Sequence, residues 1–161
     1  MDKLFQQAVE LRQSGKVKEA LNIFNELLND HPEQAEVNYQ CAWCCDLLGE
    51  ESSAVPYYEK ALALGLTDES SKGAMLGLGS TYRTLGKYEQ SKKLLEQAIE
   101  RFPDELHFQV FYAMTLYNLQ EHAKAMDILL KCITKSSQNE DILAYKNAIN
   151  FYADKLDQTW E

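Results

Sequence analysis

The sequence predicts an all-α chain, an array of four helix-turn-helix units closed by one further helix. Three observations carry that prediction. First, Gly15, Gly49, Gly86 and Gln120 occupy the same place in successive stretches, separated by 34, 37 and 34 residues, and Pro32 and Pro103 lie one long and one short step apart. Self-similarity at that period marks stacked supersecondary units. Second, small residues recur on both sides of each turn: Ala8, Ala42, Gly79 and Ala113 before it, Ala20, Ala54, Ser91 and Ala125 after it. Small side chains at matched places let two helix axes approach to about 8–10 Å. Third, seven glycines and three prolines interrupt a chain dominated by Ala, Leu, Glu, Lys and Gln, without strand-like runs of Val, Ile and Thr. Such a composition favours helix over sheet.

Each element follows from local signals. A first helix over about 2–14 stops at Gly15, and its partner over 17–29 stops before His31-Pro32, because a residue preceding proline disfavours the α region. The second unit opens with a helix over about 33–48. In the helix after it, Ser52 as N-cap would place Pro56 in the first turn, where its missing N–H has no partner to lose. The three additional residues of the 37-residue step fall near Gly65-Leu66-Thr67-Asp68, with Asp68 as N-cap and an added turn at the start of the third unit's first helix. Helices over 88–101, 105–119 and 122–136 follow. From 141 to about 157 the chain again reads as one helix, with Asn147, Asn150, Asp154 and Lys155 as the polar side that a capping helix needs. Phe24, Tyr58, Leu95 and Leu129 are expected to fill the space toward the next unit. No unit could bury both its faces alone, so stability should come largely from stacking.

In the third unit the pattern reads Met75, Leu78-Gly79, Tyr82, Ser91, Leu95, Ala98, Pro103; in the first, Leu4, Gln7-Ala8, Leu11, Ala20, Phe24, Leu27, Pro32. This resembles the tetratricopeptide repeat family, whose 34-residue unit carries Trp, Leu-Gly, Tyr, Ala, Phe, Ala and Pro in that order. Met75 stands for the Trp and Ser91 for an Ala, and the second and fourth units are more degenerate. The resemblance implies a right-handed α-α superhelix (solenoid) in one domain over 1–161, with units of about 1–34, 35–71, 72–105 and 106–139 and a capping helix over 140–158. It further implies an inner groove lined by fixed positions of each first helix. Those positions carry Phe5, Val9 and Arg12, then Tyr39, Trp43 and Asp46, then Leu76, Ser80 and Arg83, and finally His107, Val110, Met114, Tyr117 and Asn118. The terminal helix could add Phe151 and Tyr152.

Aromatic residues and Met gathered on such a face are expected anchors for a protein or peptide partner. The competing reading is that neighbouring helices or the terminal helix bury them. Some relatives hold a terminal carboxylate through a Lys/Asn/Arg clamp, but Phe5, Val9 and Trp43 stand where its Lys and Asn residues are expected. Arg12 and Arg83 are then isolated groove cations, available to partner acids or to Asp46.

Composition narrows the function classes. A formal charge of -9, from 25 acidic and 16 basic residues, opposes nucleic-acid binding, which depends on clustered cations. No apolar stretch approaches the roughly 20 residues that span a bilayer, and the first residues lack a signal peptide's uncharged run, so the chain is read as cytoplasmic with no membrane partner. Cys41, Cys44 and Cys45 on one helix, with Cys132 on another, do not form a disulfide framework. Three thiols on one rigid helix cannot converge on a zinc ion, so the cysteines are read as reduced, with Cys41 and Cys45 in the core and no metal or cofactor implied. His31, His107 and His122 have no nucleophile partner at a recognisable spacing, and Gly77 and Gly79 lie inside a helical pattern as packing residues. The sequence thus reads as a non-catalytic scaffold that binds an apolar or amphipathic segment, with a self-associating protein, a homodimer for example, as the alternative.

Overall fold

The computed structural model describes residues 2–161, the side chain of Asp2 excepted. The described residues form helices α1 (Asp2–Gln13), α2 (Val17–Asp30), α3 (Ala35–Leu47), α4 (Glu51–Leu64), α5 (Asp68–Thr84), α6 (Tyr88–Arg101), α7 (Leu106–Asn118), α8 (His122–Ser136), α9 (Glu140–Ala144) and α10 (Lys146–Tyr152), with no strand among them. They belong to two compact units: α1–α5 in a first unit ending at Lys87, and α6–α10 in a second, Tyr88–Glu161.

The recurring turn residues work by one mechanism. Gly15, Gly49, Gly86 and Gln120 have φ of 84°, 72°, 73° and 64°, the left-handed conformation that ends a helix. In each case two backbone bonds close the helix end. In the first turn the Lys16 N–H donates to the Leu11 carbonyl at 2.9 Å and the Gly15 N–H to Arg12 at 3.1 Å. The same pair recurs from Glu50 and Gly49, from Lys87 and Gly86, and from Glu121 and Gln120. Gln120 therefore replaces glycine without changing the turn.

In the first unit α1, α3 and α5 lie in one layer, each touching the next, while α2 packs between α1 and α3 and α4 between α3 and α5. Ala8, Ala20, Phe24, Leu27, Val37, Cys41 and Cys44 form a buried cluster, with Phe5, Val9 and Leu11 against it. In the second unit α7 packs against α6 and α8, and α10 rests on α8. Its core holds Leu95, Phe108, Tyr112, Leu116 and Cys132. All eight small positions are buried, as are Phe24, Tyr58 and Leu95; Leu129 is only half-buried, because a seven-residue α10 is what packs on α8.

Three local expectations are corrected. Helix α4 starts at Glu51, preceded by Glu50 without a side-chain cap, so Ser52 lies inside the helix and Pro56 falls beyond its first turn. Pro56 removes the donor for the Ser52 carbonyl, but both residues are exposed and water reaches it. Thr67, not Asp68, caps α5: its hydroxyl accepts the Ser70 N–H at 3.3 Å, and Asp68 becomes the first helical residue, where its charge favours the helix N-terminus. The expected added turn is present, as α5 has 17 residues against 13 in α3. The capping segment is two short helices broken at Tyr145, because neither α9 nor α10 has a buried residue to hold a longer helix against the array.

All four cysteines are free and buried. Burial pushes Cys44 and Cys45 up to about 11 and also raises Cys41 and Cys132. A thiol near that value is about one part in a thousand thiolate at pH 8, so native protein is expected to resist Ellman's reagent over an hour. Four equivalents should react once urea is added. Rapid native labelling of the α3 thiols would contradict the packing described.

Candidate functional site

The stripe expected to line a groove divides between the two units. In the first, α1 contributes Phe5, Val9 and Arg12. Phe5 and Val9 are half-buried, and the Phe5 ring meets Phe24 edge-on at 5.7 Å. Arg12 is 9% exposed. Its Nε donates to Gln40 Oε1 at 3.0 Å, Gln40 Nε2 donates to Glu36 at 3.0 Å, and the guanidinium lies 3.8 Å from the centre of the Trp43 ring. Tyr39 is 7% exposed, its ring 5.7 Å from Trp43 and 6.2 Å from Tyr58, with its phenol against Gly73 of α5. Tyr39 and Arg12 are therefore packed inside the first unit, and Trp43, 38% exposed, is the aromatic that α3 leaves at the surface.

Asp46 does not pair with an arginine. It accepts from the hydroxyls of Tyr58 at 2.7 Å and Thr81 at 3.0 Å, tying α3 to α4 and α5. Burial raises its carboxyl above the usual value of 3.8, while the two hydroxyls pull the other way. Since the folded value is the higher, the folded chain binds this proton more tightly. The resulting stability is full below the ordinary value and is lost as pH rises through the raised one. Wild type is expected to lose stability relative to Asp46→Asn as the pH rises from below the ordinary carboxylate value through the raised one. Urea midpoints of both proteins across that range check it; a constant or opposite difference would contradict the burial of the charge.

Leu76, Ser80 and Arg83 of α5 are half-buried. In the second unit α7 leaves Met114 and Tyr117 exposed, Tyr117 at 62%, and His107, Val110 and Asn118 half-buried. The His107 ring lies 4.4 Å from Phe108 and its Nδ1 3.5 Å from Glu105, and Tyr117 lies 4.7 Å from His122. Phe151 and Tyr152 are exposed and meet Trp160 at 6.3 and 5.4 Å. Gln40 and Trp160 are missing from the sequence reading. Gln40 is a polar residue beside the stripe, and no spacing signals the fold-back of Trp160. Among the described residues no group of three or more His, Cys, Asp or Glu is placed to hold a metal ion, and no helix is long and apolar enough to cross a membrane.

A protein-family model described as Tetratrico peptide repeat matches residues 35–156. The chain belongs to the tetratricopeptide repeat family. Superkiller protein 3 of Saccharomyces cerevisiae is 31% identical over 91 residues, 56% of this chain but 6% of the yeast protein, so the chain spans a small fraction of that relative. Among solved structures, MamA from Desulfovibrio magneticus RS-1 superposes with a TM-score of 0.76 at 17% identity, covering 96% of this chain and 86% of that one. YrrB, described as a TPR protein with an unusual peptide-binding site, gives 0.74 at 17%, covering 95% and 80%. An O-GlcNAc transferase of Thermobaculum terrenum gives 0.71 at 21%, covering 83% of this chain and 25% of the enzyme. At these identities the structures show a shared helical-repeat fold and nothing finer.

Proposed function

We infer that the chain is a non-catalytic interaction module that holds an apolar or amphipathic segment of a protein partner on its first-helix faces. One observation carries the reading: α3 and α7 bury Tyr39, Phe108 and Tyr112 yet leave Trp43 and Tyr117 exposed, with Met114 beside the latter. Rigid aromatic side chains on a helix face supply contact area at little entropic expense, and Trp and Tyr are the residues most enriched among interface anchors. That YrrB shares this fold and carries a peptide-binding site is consistent with it. Trp43→Ala with Tyr117→Ala is expected to keep the helical circular dichroism signal and to lose partners that wild type captures from lysate. An unchanged partner set would sink the reading.

Self-association is the second reading, favoured by the exposed Met126, Ile133, Tyr145 and Trp160 of the second unit. Light scattering across a concentration series decides it: a mass that stays at one chain removes it.

A further inference from the structure

Among the described residues no carboxylate of the first unit forms an ion pair with Arg12. Arg12 is nine-tenths buried, yet its contacts use one edge and one face: Nε binds Gln40, and the plane stacks on Trp43. Nη1 and Nη2 make no hydrogen bond or ion pair among the described residues, and both reach solvent. The acids of α3 are engaged elsewhere, Glu36 with the Gln40 amide and Asp46 with Tyr58 and Thr81. Burying a cation without a counter-charge opposes folding, and an apolar side chain would fill the same space without that penalty. The free Nη1/Nη2 edge is the fork that matches a carboxylate with two parallel bonds, and the indole beneath keeps water from one face of the cation. Beside it stands the exposed part of the Trp43 ring.

We propose that Arg12 and Trp43 form a two-point subsite for a partner peptide, in which the side-chain carboxylate of a peptide Asp or Glu takes the Nη1/Nη2 edge of Arg12 and a neighbouring apolar side chain lies against Trp43. The subsite rests on the peptide-binding reading above and adds the partner's chemistry to it: an acidic side chain next to an apolar one. Gln40 is the positioning residue. Its amide is held by Glu36 so that its oxygen faces Nε, which turns the other edge of the guanidinium outward.

The test selects a library of random twelve-residue peptides, displayed with free C termini, on the full chain and on Arg12→Gln and Arg12→Lys, with thermal melts of all three. Wild type is expected to enrich peptides with a carboxylate beside an apolar residue. Arg12→Gln should keep the apolar preference and lose the acidic one, and Arg12→Lys, which keeps charge without the fork, should weaken it. Synthetic versions of the selected peptides then test wild type alone, so a poorly folded variant does not leave the matter open. Changing the acidic side chain to its amide should weaken binding about tenfold. If amidation of the C terminus weakens binding while amidation of the acidic side chain does not, the bound carboxylate is the chain end and the subsite as proposed is overturned. Enrichment with no acidic preference, or an acidic preference unchanged in Arg12→Gln, overturns the subsite and leaves peptide binding standing. Enrichment of nothing on wild type overturns both.

Discussion

Phe24→Ala is expected to cost about 3–5 kcal/mol, a large share of the stability of a small domain. Phe24 is fully buried among Ala8, Ala20, Leu27, Val37, Cys41 and Cys44, and Phe5 meets its ring edge-on. Those neighbours belong to three helices, and alanines at 8 and 20 have no side-chain length with which to close the cavity. In a repeat array the damage is local, because each repeat rests on its neighbours. The loss should therefore appear as early melting of α1 and α2, seen as a broadened urea transition and fast hydrogen exchange in those helices. A shift below about 1 kcal/mol would contradict the packing.

Gly77→Ala is expected to destabilise the chain by about 2 kcal/mol, although the same change inside an exposed helix stabilises by about 1 kcal/mol. A Cβ at Gly77 would overlap the phenolic oxygen of Tyr58 and lie 2.6 Å from its Cζ and 3.0 Å from Cε1. That ring is 2% exposed and its hydroxyl is committed to Asp46, so moving it breaks the bond that ties α3 to α4. Overpacking and the lost hydrogen bond outweigh the gain in helix propensity. Urea midpoints decide the sign, and an unchanged or more stable variant would refute the close approach of α4 and α5.

The fold was legible because its devices are local and repeated. A left-handed residue must end each first helix, so Gly15, Gly49 and Gly86 announce the period, and Gln120 is recovered only through the register of the others. The small positions were legible for the same reason. Cap choice was not: Thr67 and Asp68 are both good caps, and which one acts depends on where the preceding turn releases the chain. The terminal segment misled because its residues are suited to helix while no neighbour supplies a surface for a long one.

The candidate site was legible as positions but not as exposures. Spacing puts Arg12, Tyr39 and Trp43 on adjoining faces of α1 and α3. Which of them stays at the surface depends on the Gln40 and Gly73 contacts, and those arise only once α1, α3 and α5 lie in one layer. Exposure of Tyr117 against burial of Tyr112, five residues earlier on α7, follows from the face each occupies.

Hydroxyl-radical footprinting of the protein free and bound to its captured partner tests the central claim most directly, since Trp, Tyr and Met are among the side chains that label fastest. The account predicts that Trp43, Met114 and Tyr117 lose labelling in the complex. Labelling of those three as in the free protein, with protection confined to the outward faces of α2, α4, α6 and α8, would contradict it.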